Sequence, residues 1–172
     1  MKKVVPRAEM ILHGREWKRN GQRMVLVTGR FALLHPGHVR LLEQARSYGD
    51  VLIVALAREA TAAEERGGDA ASAAKREELE KLAPLDERAE IVAGLAAVDF
   101  VTDYEGETPE EFIGELAPDV VVMGAEGQAA QPATGGGPEK ASGAGGPQMV
   151  RLPLEPGYST KLLLERIAQL PA

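Results

Sequence analysis

Apolar residues recur in two rhythms along this chain. Short runs rich in Val, Leu and Ile at Met24 to Thr28 and Val51 to Ala57 read as buried strands, and between them Val39, Leu42 and Ala45 recur at helical spacing, which makes a β-α-β unit. Leu85 to Ala97 carries Ala89, Val92, Leu95 and Ala96 on one helical side, Phe100 to Thr102 reads as a short strand, and Val120 to Met123 as a buried-type strand. Before that last strand, Thr108 and Glu111 form a Thr-x-x-Glu capping box with Pro109 at the first helical position, so Phe112, Ile113 and Leu116 should face the sheet. A final strand near Met149 to Leu152 and a helix from Thr160 to Leu170 follow. Residues 6 to 20 read as an amino-terminal helix with Met10, Ile11 and Trp17 on its apolar side; Trp17, the single tryptophan, should pack on the sheet or on a partner subunit. Alternation of strands and helices at this spacing predicts an α/β fold with a doubly wound parallel sheet, whose ligands sit beyond the carboxyl ends of the strands.

Two segments break the rhythm. From Arg58 to Leu82 the chain is rich in Ala, Glu, Lys and Arg around Gly67-Gly68, which predicts a loop and then a solvated helix from about Ala70 to Leu82. Between Gly124 and Pro147 there are 8 glycines and 6 alanines in 24 residues, a composition that buries too little apolar surface to offset ordering entropy. A flexible segment is expected there, either a flap over a ligand or a tolerated surface insertion.

Candidate chemistry concentrates where the first strand meets its helix. Val27-Thr28-Gly29-Arg30-Phe31-Ala32-Leu33-Leu34-His35-Pro36-Gly37-His38 joins an apolar strand to a helix through a glycine-containing turn. Such a turn can point backbone amides inward, and a helix starting near Gly37 adds the positive end of its dipole, so an anion there can be met by both His35 and His38. Two of the chain's three histidines fall in this one motif, while His13 lies outside it and carries no assigned role.

Composition narrows the reading. The length suits one domain over residues 1–172 with a real core. With 20 basic and 26 acidic residues the net charge is −6, which argues against a protein that holds nucleic acid by neutralising phosphates. Without cysteine there are no disulfides, thiolate nucleophiles or cysteine zinc sites, and no run reads as a signal peptide or membrane span. A soluble cytoplasmic protein is expected, with no membrane partner.

The His-Pro-Gly-His motif resembles the His-x-Gly-His signature of nucleotidyltransferases, which attach a nucleoside monophosphate to a phosphorylated small molecule and release pyrophosphate. Leu85-Asp86-Glu87-Arg88-Ala89-Glu90 with Ala96-Ala97-Val98-Asp99 resembles the family's second block, and Gly157-Tyr158-Ser159-Thr160 with Leu162, Leu163 and Ile167 its third. In order, and with Thr108-Pro109-Glu110-Glu111 and Ala117-Pro118-Asp119-Val120-Val121-Val122 between them, the blocks are most similar to the heptose 1-phosphate adenylyltransferase branch. Ala32, Ala57, Met123 and Lys161 depart from that branch's usual residues.

The resemblance implies a Rossmann-like nucleotidyltransferase fold and a reaction in which a substrate phosphate oxygen attacks the α-phosphorus of a nucleoside triphosphate, most readily ATP. It implies catalytic roles for His35 and His38 on the phosphate oxygens, at least one of them protonated beside the anion, and for Arg88 as a fixed cation, although an arginine on a helix side is ordinarily a surface charge. Thr28, Gly29, Arg30, Phe31, Gly37, Gly124, Tyr158, Ser159, Thr160 and Lys161 would line the nucleotide site, although Ser159 is also a natural N-cap without any ligand. Mg²⁺ would arrive with the triphosphate, with no side chain assigned to a metal. Two alternatives stand beside this reading: a cytidylyltransferase acting on glycerol 3-phosphate or a similar alcohol phosphate, and a nucleotide-binding paralogue without turnover. A homo-oligomer through the amino-terminal helix is a further possibility.

Overall fold

The computed structural model describes residues 2–58, 78, 81–105, 109–125, 146–153 and 155–170. The elements are α1 (Arg7–Arg19), β1 (Met24–Gly29), α2 (Pro36–Arg46), β2 (Val51–Ala57), α3 (Leu85–Ala93), β3 (Phe100–Tyr104), α4 (Glu110–Leu116), β4 (Val120–Ala125), β5 (Gln148–Pro153) and α5 (Thr160–Ala168). The five strands pair in parallel in the order β3-β2-β1-β4-β5. The order reverses direction between β1 and β4, the switch point at which doubly wound sheets open a crevice at their carboxyl edge.

Strand pleating sorts the apolar side chains onto two faces. Val25 and Val27 of β1, with Leu52, Val54 and Leu56 of β2, face Leu41, Leu42 and Ala45 of α2 and Ala89 and Val92 of α3. Met24, Leu26, Ile53 and Ala55 point to the opposite face and meet Met10 of α1 and Phe112 and Leu116 of α4. Strands buried on both faces are why β1 and β2 read as continuous apolar runs rather than alternating ones. Trp17 packs on Phe100 of β3, ring centroids 4.8 Å apart, so the sheet is among its contacts.

Register is fixed at the amino edge by a repeated device. An aspartate just before a strand accepts a backbone amide within one residue of the start of its neighbour: Asp50 Oδ2 takes Arg23 N at 2.7 Å, Asp99 Oδ2 takes Leu52 N at 2.8 Å, and Asp119 Oδ2 takes Met24 N at 2.8 Å. Gly49 belongs to the same edge. A Cβ there would lie 2.6 Å from the Arg23 carbonyl oxygen, so only glycine lets the turn into β2 pass this close.

Several boundaries differ from the sequence reading. The helix expected over Leu85 to Ala97 ends at Ala93, because Gly94 caps it and the chain turns through Leu95 to bring Asp99 to the start of β2. Leu41 replaces Val39 among the fully buried positions of α2. Pro109 is the N-cap of α4 rather than its first residue, and it has no side-chain cap bond; Thr108 lies outside the described residues. Strands β3 and β4 run on to Tyr104 and Ala125, since ladder pairing with β2 and β5 continues past the apolar run. Gly124 and Ala125 are thus strand, while the remainder of the Gly/Ala-rich segment up to residue 145 lies outside the described residues. Of the helix expected from about Ala70 to Leu82, Glu78, Lys81 and Leu82 are described and are helical.

Candidate active site

β1 delivers Thr28 and Gly29 to the carboxyl edge, and the chain then bends through Phe31, which adopts a left-handed backbone conformation with φ 52°. This conformation disfavours a residue with a side chain, and it persists because the Phe31 ring is buried in the core beneath the loop. That ring also supports His38 from below, centroid to centroid 5.0 Å at a tilt of 48°.

His35 is the N-cap of α2, with an extended backbone and Pro36 at the first helical position, where its missing amide costs nothing. Its carbonyl accepts the His38 amide at 2.9 Å, but its imidazole makes no capping bond and remains for the site. Three residues on, His38 points to the same side. The two rings stack at 3.8 Å between centroids and 26° between planes. His35 is only 8% exposed. Nδ1 of each ring is buried and has no hydrogen-bond partner among the described residues.

Burial disfavours the charged form of both imidazoles. Loss of water pushes the pKa of His35 down, partly opposed by a backbone hydrogen bond; His38 falls to about 4 through burial and then through the charge His35 would carry. In the ligand-free site neither histidine is the cation that an anion is expected to induce.

Gly37 explains the spacing of the motif. A Cβ there would lie 3.0 Å from His35 Nδ1 and Cε1 and 3.2 Å from Tyr158 Cβ, so any larger residue at the second helical position would crowd the ring and the segment leading into α5. The Tyr158 ring lies nearly parallel to His35 at 6.3 Å. Ser159 then caps α5, its hydroxyl accepting the Leu162 amide at 3.1 Å, and Thr160 and Lys161 open the helix. The starts of α2 and α5 therefore meet at one spot, and two positive helix ends converge on the histidine pair.

Arg88 is buried, not a surface charge. Nε donates to the Ala83 carbonyl at 2.9 Å and Nη1 to the Arg30 carbonyl at 2.6 Å, with the Ala57 carbonyl 3.5 Å away. It thereby ties the ends of β1 and β2 together beneath the site. Gly124 stands at the carboxyl end of β4, two residues beyond Val122, which pairs with Val27 of β1.

Sequence reasoning missed Arg40 and Glu155. The two form an ion pair, and the Arg40 guanidinium lies over the Tyr158 ring at 5.7 Å. The available signal was spacing: Arg40 falls one helical turn after Gly37, on the side of α2 that faces the start of α5.

The cytidylyltransferase-like family model matches residues 26–130 of the chain. "Bifunctional protein HldE" of Koribacter versatilis strain Ellin345 is 37% identical over 164 residues, 95% of this chain and 31% of that protein. The protein of the same name from Alkalilimnicola ehrlichii is 34% identical over 173 residues, 98% of this chain and 32% of that protein. The chain thus spans about a third of the length of these relatives. The crystal structure of the lipopolysaccharide core biosynthesis protein from Thermoplasma volcanium GSS1 superposes with a TM-score of 0.51 at 19% identity, covering 78% of this chain and 99% of that one, and shares the fold.

Proposed function

The chain belongs to the cytidylyltransferase-like family, and we propose that it is a nucleotidyltransferase that moves the adenylyl group of ATP to a phosphorylated sugar such as heptose 1-phosphate. The observation that carries this reading is the His35–His38 pair: two stacked imidazoles, one buried and one half-buried, at the start of α2 beside the segment leading into α5. Such groups are preorganised to donate to phosphate oxygens and need little rearrangement when charge develops.

In the reaction, a phosphate oxygen of the acceptor attacks the α-phosphorus. The new oxygen–phosphorus bond forms as the bond from the α-phosphorus to the bridging oxygen breaks, and the electron pair leaves with pyrophosphate. His35 and His38 donate to the α-phosphate and bridging oxygens, one of them taking up a proton as the anion binds. Amides at the starts of α2 and α5, with Ser159, Thr160 and Lys161, hold the triphosphate. Thr28, Gly29, Arg30 and Phe31 form the floor, Gly124 a wall, and Arg88 supplies fixed positive charge beneath the β- and γ-phosphates.

Mg²⁺ enters as part of the nucleotide substrate. Among the described residues no group of three His, Cys, Asp or Glu side chains is placed to hold an ion; in this reading phosphate oxygens and water would carry it. No helix among the described residues is long and apolar enough to cross a membrane.

The test is a thermal-shift titration with ATP, CTP, GTP and UTP, each with Mg²⁺, followed by pyrophosphate release with heptose 1-phosphate or glycerol 3-phosphate as acceptor. A ligand at a hundred times its dissociation constant stabilises the fold by about 2.7 kcal/mol, and ATP alone should do so. Selective stabilisation by CTP with turnover on glycerol 3-phosphate would replace the adenylyl reading. Absence of any shift at millimolar nucleotide would leave a scaffold without the reaction.

A further inference from the structure

Helix α5 begins over the histidine pair, yet none of its side chains is fully buried. Leu162 and Ile167 are exposed and Leu163 and Leu164 only half-buried, so the helix has no apolar anchor of the kind that Leu42 provides for α2 or Phe112 for α4. Its polar and ring contacts with α2 lie just before its amino end. Tyr158 rests beside His35 and against Gly37, and Arg40 of α2 reaches over the same ring while pairing with Glu155. Arg40 spans both contacts of the segment, one through charge and one through the face of the ring.

We propose that Arg40 is a positioning residue for the transfer reaction: by pairing with Glu155 and covering the Tyr158 ring, it holds the start of α5 over His35 and His38. This rests on the nucleotidyltransferase reading for its consequence in catalysis, but the strut itself is a property of the unliganded chain. Arg40 needs no contact with the reacting atoms. It acts through the placement of Ser159 and Thr160, so its loss should weaken nucleotide binding more than the chemical step. An exposed ion pair and one cation–π contact set a modest scale, an effect of roughly three- to ten-fold.

The experiment compares wild type with Arg40→Ala, Glu155→Ala, and the double exchange Arg40→Glu with Glu155→Arg. Hydrogen exchange is read at the Leu162 and Leu163 amides, which bond to the Oγ and carbonyl of Ser159. ATP affinity and steady-state constants are measured beside it. Both single variants should exchange about three- to ten-fold faster at these amides and raise KM for ATP by a similar factor, with kcat within about two-fold; the double exchange should recover part of both. Unchanged exchange in the single variants overturns the strut. Faster exchange with unchanged ATP affinity and KM overturns its link to the nucleotide. Wild type without turnover on any acceptor overturns the proposed reaction instead, and the strut is then decided by exchange and ATP affinity, which need no turnover.

Discussion

His35 and His38 face one another at 3.8 Å with both Nδ1 atoms buried, so the burial that aims each ring at the site also disfavours its charged form. Two charged imidazolium rings at this separation repel, and an anion between them would favour uptake of a proton by the pair.

The pH dependence of stability follows with a definite sign. Both folded-state pKa values lie below the ordinary 6.5, His38 at about 4. Above 6.5 neither state binds these protons, and as pH falls toward 4 the unfolded chain takes them up first, so stability is lost over that window. Melting temperature measured from pH 7.5 to 4.5 should decline, and His38→Gln should flatten the decline. Equal slopes in both proteins would show that other groups dominate.

Nucleotide binding should take up a proton. At pH 6 to 7, calorimetric titration of ATP·Mg²⁺ in buffers of different ionisation enthalpy should give heats that vary with the buffer. A heat independent of buffer would mean that both rings stay neutral in the complex.

For the reaction itself, His35→Ala or His38→Ala each removes one preorganised donor. The expected loss is about 3 kcal/mol of transition-state stabilisation, roughly a hundred- to thousand-fold in kcat, with the fold retained by circular dichroism. A loss confined to KM would reassign the ring concerned to ground-state binding.

Arg88→Ala should act on the fold as well as on the rate. It removes the donors to the part-buried Ala83 and Arg30 carbonyls, and their loss should cost about 1–3 kcal/mol together. Urea unfolding should show the loss, and Arg88→Lys should recover little of it because an ammonium cannot span both acceptors. An Arg88→Ala protein of wild-type stability with reduced turnover would place the guanidinium on the phosphates alone.

Gly37→Ala tests the meeting of the two helix starts. The added methyl would press on the His35 ring and on Tyr158, costing about 1–3 kcal/mol or displacing Tyr158 from the site. The readout is the ATP-induced thermal shift, which should shrink by more than the apo protein's melting temperature falls.

Much of this was legible before any coordinates. β1, β2 and the histidine motif stand out because strands buried on both faces must be continuously apolar, and because a helix start that binds phosphate needs a glycine beside its cap. What stayed hidden depends on neighbours distant in sequence. The resemblance singled out Arg88 as a fixed cation, but its burial was not legible, since it comes from the approach of the β1 and β2 ends, 58 positions away at Arg30. Arg40 and Glu155 are 115 positions apart, and no local pattern joins them. The carboxyl-end extensions of β3 and β4 escaped notice because ladder pairing, not hydrophobicity, carries the strand there.

The aspartates at the amino edge have a consequence for how the protein can change over time. Asp50, Asp99 and Asp119 each tie neighbouring strands together at the end opposite the histidines. These three ties therefore do not depend on the loops at the histidine edge. Acceptor preference can drift through substitutions at the carboxyl edge while the frame stays in step, so inherited variation in this fold has a permissive side and a restrictive side.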